Sequence, residues 1–151
     1  SVANLSSVNL TRYKVIKKNQ FAANFMHVMR DGKIPIALYQ EDEPCIISPA
    51  YPVFKVRSKH VLAEYIILCI NRQESDRYAW FISDSSVRGG LELSRFFEIE
   101  IPLPPIDVQQ YIVNIYTVYQ LRREINEQLK AQIKDLCPIL IKGSIEEATD
   151  A

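Results

Sequence analysis

The stretch SDSSVRGG, Ser83 to Gly90, places one guanidinium, Arg88, among small hydroxyl side chains and beside two glycines. Glycine lets a backbone approach a ligand closely, and arginine offers two parallel hydrogen bonds to a phosphate or to the O6/N7 edge of guanine. Ser85, Ser86, Arg88 and Gly89 are therefore candidate DNA contacts. The loop lacks the Lys-Ser/Thr ending of a nucleotide-binding loop, so triphosphate binding is not expected. The plainer reading is a surface loop whose Arg88 pairs with an acidic neighbour. A second stretch, YKVIKKNQFAANF, interleaves Lys14, Lys17 and Lys18 with the amides of Asn19, Gln20 and Asn24. Lysines neutralise phosphates and amides pair with adenine in the major groove, which makes Lys17, Lys18, Asn19 and Gln20 candidates too. Arg30 and Lys33 extend the basic run. An edge strand protected by lysines explains the same residues without DNA.

Other chemistry is sparse. SPAYPVF, Ser48 to Phe54, is similar to the Ser-Pro-Pro-Tyr motif with which amino-methyltransferases grip a flipped base, but it lacks the second proline and no glycine-rich cofactor loop accompanies it. It reads as a turn feeding a strand, with Tyr51 as a core or groove aromatic that could face DNA. His27 and His60 are not spaced with each other or with cysteines for metal or triad work. Cys45, Cys69 and Cys137 are isolated and odd in number, which argues against a disulfide framework and against a paired-cysteine metal site. Neither a metal, a cofactor nor a catalytic residue is expected.

These residues need elements to hold them. From Tyr13 to Phe54 the pattern favours short strands in YKVIK, IPIALY, CIIS and YPVFKV, with turns at RDGK (Arg30 to Lys33) and EDEP (Glu41 to Pro44). Val61 to Phe81 shows apolar Leu62, Tyr65, Ile66, Cys69 and Ile70 at helical spacing and predicts one amphipathic helix. A shorter helix is expected at Leu91 to Phe97. IEIPLPP then supplies an extended exit, because its prolines forbid helix before Asp107, and Asp107 reads as an N-cap.

From there a long helix is expected. Val108, Tyr111, Ile115, Val118, Arg122, Ile125, Leu129, Gln132 and Leu136 recur at alternating steps of three and four, a coiled-coil seam with seven of nine positions apolar. From Asp107 to Cys137 such a helix would be roughly 46 Å long. Its far half, REINEQLKAQIKDL, is too polar for an internal core helix yet keeps a stripe, so it should pack on another helix. Pro138 is expected to end it and GSIEEATDA to fray. The domain expectation is a DNA-binding domain over 1–105, a spacer or dimerisation helix over 106–143 and a tail over 144–151.

At 151 residues and 48% apolar content the chain is the size of one soluble domain. No run approaches a membrane span and SVANLSSVNL has no signal-peptide pattern, which points to the cytosol. The net charge is zero, but residues 1–40 carry Arg12, Lys14, Lys17, Lys18, Arg30 and Lys33 against Asp31 alone. Such segregation suits one anion-facing side, or a solvated basic face with no partner.

Taken together, YKVIKKNQFA, RDGKIPIAL, ISPAYPVFKV, EYIILCINR and DSSVRGGLELSRFFEIEIPLPPIDVQQYIV resemble the specificity subunits of type I restriction-modification enzymes over about Tyr13 to Gly143. The last stretch is the most specific: a glycine-bearing loop, a short helix, the IPLPP exit and a Q..IV helix start, in that order. The resemblance implies a prokaryotic, cytoplasmic, non-catalytic α+β protein: a small mixed-sheet target recognition domain with packed helices, then a long coiled-coil-forming helix. It implies double-stranded DNA, methyltransferase subunits that hold S-adenosylmethionine, and a motor/restriction subunit as partners. Two recognition halves would meet through the helix, as a homodimer or with a second half, at a two-part site. The family usually has several tens of residues before the position of NLTRYKV, so the recognition domain would be incomplete at its start. A different class, a protein-interaction adaptor that works through its helix without DNA affinity, fits the same seam.

Overall fold

The computed structural model describes residues 10–26, 28–83 and 90–149, and its centre is a strand the alternation did not single out. In Gln20–Ala23, Phe21 and Ala23 are each 1% exposed while Gln20 and Ala22 are half-buried, the period-two signature of a strand with one face on the core. In chain order the elements are a 3-10 turn (Leu10–Arg12), β1 (Lys14–Ile16), β2 (Gln20–Ala23), α1 (Val28–Asp31), β3 (Ile36–Tyr39), β4 (Cys45–Ile47), β5 (Val53–Lys55), α2 (Ala63–Ile70), α3 (Gln73–Ile82), α4 (Leu93–Phe97) and α5 (Ile106–Thr149). The fold is α+β. The expected mixed sheet is realised as two small antiparallel ones: β1 with β4, and β3-β2-β5 with β2 central.

Against the three-stranded sheet packs a core of Ala23, Phe25, Val28, Ile34, Ile70, Ala79, Leu91 and Phe96. An aromatic column ties sheet to helices. Phe21 stacks on Phe54 at 5.3 Å, Phe54 meets Phe96 at 5.6 Å and Phe97 edge-on at 5.3 Å, and Phe25 meets Phe96 at 4.7 Å. Such offset and edge contacts add to the burial of these rings.

Val61 to Phe81 forms two helices, not one. The Cys69 carbonyl accepts from the Arg72 backbone N–H (3.4 Å), Arg72 Nε (3.2 Å) and the buried Ser75 hydroxyl (2.8 Å). These donors satisfy the end of α2 locally and turn the chain before α3 begins. Glu74 and Asp76 then sit in the first turn of α3, where acid suits the helix dipole. Asp76 also reaches back to accept the Ile34 N–H at 2.8 Å. RDGK contributes Arg30 and Asp31 to α1, and Gly32, at φ 63°, ends that helix by taking its N–H to the Val28 carbonyl.

Helix α5 starts at Ile106, with the Gln109 N–H bonded to the Pro105 carbonyl, so Asp107 lies in the first turn and is not the cap. Pro138 lies inside the helix, which continues to Thr149 and takes in most of the expected tail. A proline removes one N–H and crowds the carbonyl four residues earlier, but Gly143 is the first glycine after Asp107 and good helix formers flank the site, so the ladder resumes. Two compact units divide the chain, Ser1–Gln110 and Tyr111–Ala151. In the second, Tyr111, Ile115, Val118, Ile125, Leu129 and Leu136 are all exposed, as is Val108 in the first. No helix among the described residues is long and apolar enough to cross a membrane. Cys45 and Cys137 are exposed and Cys69 is buried, all three as free thiols.

Candidate nucleic-acid interface

Lys17, Lys18, Asn19 and Gln20 form the tight turn that joins β1 to β2. The Gln20 N–H bonds the Lys17 carbonyl at 3.1 Å, and Gln20 Oε1 accepts the Lys17 N–H at 2.7 Å. Asn19 takes φ 62°, the left-handed region that asparagine tolerates better than most residues, and its N–H is held by the Tyr39 carbonyl at 2.8 Å. The turn therefore presents exposed Lys17, Lys18 and Asn19, whereas the Gln20 side chain is engaged in closing it. Lys18 Nζ lies 2.5 Å from Asp42 Oδ1. The hydrogen bond and charge of Lys18 lower the Asp42 pKa, and Asp42 raises that of Lys18. Through the neutral range the pair stays ionised and Lys18 meets a phosphate with part of its charge already offset.

The other described candidates sit at the opposite end of β2. The register pairs Gln20 with Tyr39 and Lys55 at one end, and Ala23 with Ile36 at the other. Beyond Ala23, the Asn24 N–H bonds the Pro35 carbonyl, which sets Lys33 and α1 at that end. Arg30 pairs with Asp31 at 2.8 Å; this pairing draws on its charge and raises its pKa. Tyr51 is half-buried at the end of the turn after β4, and its carbonyl accepts Lys14 Nζ at 2.8 Å. So the basic and amide groups read as one set are split between two ends of the sheet. Among the described residues neither Lys17 nor Lys33 has an ion-pair partner.

Ser85, Ser86, Arg88 and Gly89 lie outside the described residues, as does His27. The residues on either side of 84–89 are held by hydrogen bonds. Buried Ser83 donates its hydroxyl to the Ala79 carbonyl at 2.7 Å, and Arg95 Nη1 donates to the Ile82 carbonyl at 2.8 Å. On the far side the Leu91 N–H bonds the Phe25 carbonyl at 2.9 Å, and a Cβ on Gly90 would come within 3.2 Å of that same oxygen. Gly90 thus packs closely against Phe25 at the Ala23 end of β2, and a side chain there would push that backbone back by a few tenths of an ångström.

The residue the chemistry did not single out is Gln109. It is fully buried at the start of α5. Its Oε1 accepts the Leu62 N–H at 3.0 Å, and its Nε2 donates to the carbonyls of His60 (3.0 Å) and Pro104 (2.8 Å). All three partners are backbone groups, and they satisfy the polar atoms of a side chain that is itself fully buried. Nearby, buried Tyr65 donates its hydroxyl to the Pro102 carbonyl at 2.8 Å, with burial raising its pKa and keeping it a donor. The IPLPP exit, which cannot form a backbone ladder at its prolines, is thus held by two side chains.

The clefts do not compete as sites. One of about 440 Å³ is lined by Arg72, Glu74, Tyr78, Glu98 and Glu100, the wrong sign for phosphate. Another of about 210 Å³, between Phe21, Phe54, Ile66 and Phe97, is apolar, with Lys55 at its edge. Among the described residues no three His, Cys, Asp or Glu side chains gather as metal ligands.

No curated protein matches the chain closely enough to count as a relative. A family model, the type I restriction modification DNA specificity domain, matches residues 3–135, which takes in the two sheets, the stretch 84–89, the proline exit and the first thirty residues of α5. With that order of elements and that extent of match, the chain belongs to the family of type I restriction modification DNA specificity domains.

Proposed function

We propose that this chain reads one half of a two-part DNA site, that its α5 pairs with the helix of a second recognition half, most simply another copy, and that partner methyltransferase and motor/restriction subunits supply catalysis. The observation that carries this is the family match itself, which spans the globular unit and most of α5 together. The family is one of DNA specificity domains without catalysis of their own, and the exposed seam from Val108 to Leu136 supports a helix partner. Lys17 and Lys18 serve as phosphate anchors, Asn19 as the adjacent base reader, and Arg88 with Gly89, Ser85 and Ser86 as a second contact. Arg30, Lys33 and Tyr51, beyond the Ala23 end of β2, add further contacts.

Random-sequence duplexes incubated with the chain and its methyltransferase subunits, then sequenced after retention, test the reading. It expects an enriched palindrome in two parts with a fixed gap; a stable complex that enriches no sequence sinks it. Binding through phosphates also makes affinity fall with salt, and Lys17→Ala with Lys18→Ala should flatten the log–log slope by roughly one unit per lost contact. Asp42→Asn should act in the opposite direction, because it releases Lys18 from its partner. Slopes measured by fluorescence anisotropy that are unchanged in both variants would remove this turn from the interface.

A further inference from the structure

Gln109 has a geometry that packing alone does not require. A leucine would fill the same volume; a glutamine that spends one acceptor and both donors on three backbone groups fixes position as well as space. The three groups belong to separate pieces of chain: His60 and Leu62 before α2, and Pro104 at the end of the proline exit. Leu62 is the first residue before α2 and has no side-chain cap, so Gln109 also supplies a partner for the N–H at that helix start. Gln109 itself is in the first turn of α5, bonded through its own N–H to Pro105. One side chain therefore ties the first turn of α5 to the segment that leads into α2.

We infer that Gln109 is a positioning residue that holds the start of α5 in a single register on the recognition unit and so confines the two-part site to one gap length. The inference rests on the two-part reading above. A fully buried amide bonded on both sides resists both sliding and rotation of the helix start, because either movement leaves its own polar atoms without partners in a place water does not reach. Apolar packing tolerates such movement far better, being non-directional.

The test is the same duplex selection, with full-length chain and methyltransferase subunits, read as the distribution of gap lengths. Wild type should enrich one gap. Gln109→Leu should enrich the same half-site sequence with neighbouring gaps admitted, discrimination against a gap one base pair longer or shorter falling by about tenfold. Tyr65→Phe, which removes the hydroxyl bond to Pro102 without touching α5, should keep the single gap. Leu62→Pro is a second variant: Leu62 sits at φ −84° and ψ 132°, close to what proline adopts, and the substitution removes the N–H that Gln109 accepts while trimming a half-buried side chain. It should broaden the gaps in the same direction, and it decides alone if Gln109→Leu does not fold. A wild-type gap distribution in the variants that fold overturns the inference, as does equal broadening in Tyr65→Phe. Absence of any two-part motif in the wild type overturns the underlying reading, and the inference with it.

Discussion

Phe21→Ala is expected to destabilise the recognition unit by about 3–5 kcal/mol, the range for emptying a buried aromatic site. Phe21 is 1% exposed on the central strand, and it is the base of the column in which Phe54 links the sheet to Phe96 and Phe97 on α4. Removing it takes away its own burial and the face on which Phe54 stacks. The site cannot collapse easily, since β2 is held on both edges, by β3 and by β5. A domain of this size has about 5–15 kcal/mol in total, so the midpoint of thermal unfolding should drop by about 15 °C or more. Circular dichroism on the purified variant reads this directly, and a midpoint within a few degrees of wild type would mean the column does not bear on the fold as described. Phe81→Ala, at a position 76% exposed, is the matched control and should change little.

The second large effect concerns α5. Ile125→Asp with Leu129→Asp should abolish helix-mediated association and leave the recognition unit folded. Both side chains are about half exposed on the seam, 45% and 50%, so their replacement costs the isolated chain little. In a paired state they would face the partner, where each loss of about 2 kcal/mol or more multiplies to a weakening of at least about a thousandfold. Sedimentation at micromolar concentration should show wild type associating and the double variant monomeric, with an unchanged melting profile for the globular unit. Lys134→Asp, two positions from the seam residues Gln132 and Leu136 and so on another face of the helix, should leave association intact. Association that survives the double substitution would assign the stripe to another purpose.

How far the sequence could be read depends on where the partners of each residue lie. Strands β1, β3, β4 and β5 were legible because β-branched and aromatic side chains record their own preference. β2 was not singled out, since Gln-Phe-Ala-Ala is short and poor in such residues, and only its place between two partners makes it a strand. The single helix expected from Val61 to Phe81 failed at Asn71 and Arg72, where the stop is made by side chains folding back on the Cys69 carbonyl. That contact leaves no mark on apolar periodicity. Pro138 was given a breaker's weight, yet an exposed helix absorbs one missing bond when its neighbours favour helix on both sides.

The candidate contacts show the same limit. Residue chemistry grouped Lys17, Lys18, Asn19 and Gln20, but it could not separate the side chain that closes the turn from those that face outward. Arg30, Lys33 and Tyr51 were grouped with them by charge and type, and the register puts them at the far end of β2. Gln109 was visible as part of the Q..IV start of the helix, while its role was hidden, because every group it bonds is backbone and backbone is the same in every sequence.

The thiols have a practical consequence. Cys45 is accessible in the first compact unit, Cys137 in the second, and Cys69 is shielded on the buried face of α2. A maleimide dye pair would therefore label the native chain once on each unit without any engineered cysteine. Energy transfer between the two dyes turns the chain into its own ruler, able to report in solution whether the recognition unit and its helix keep one separation or many, before and after DNA is added.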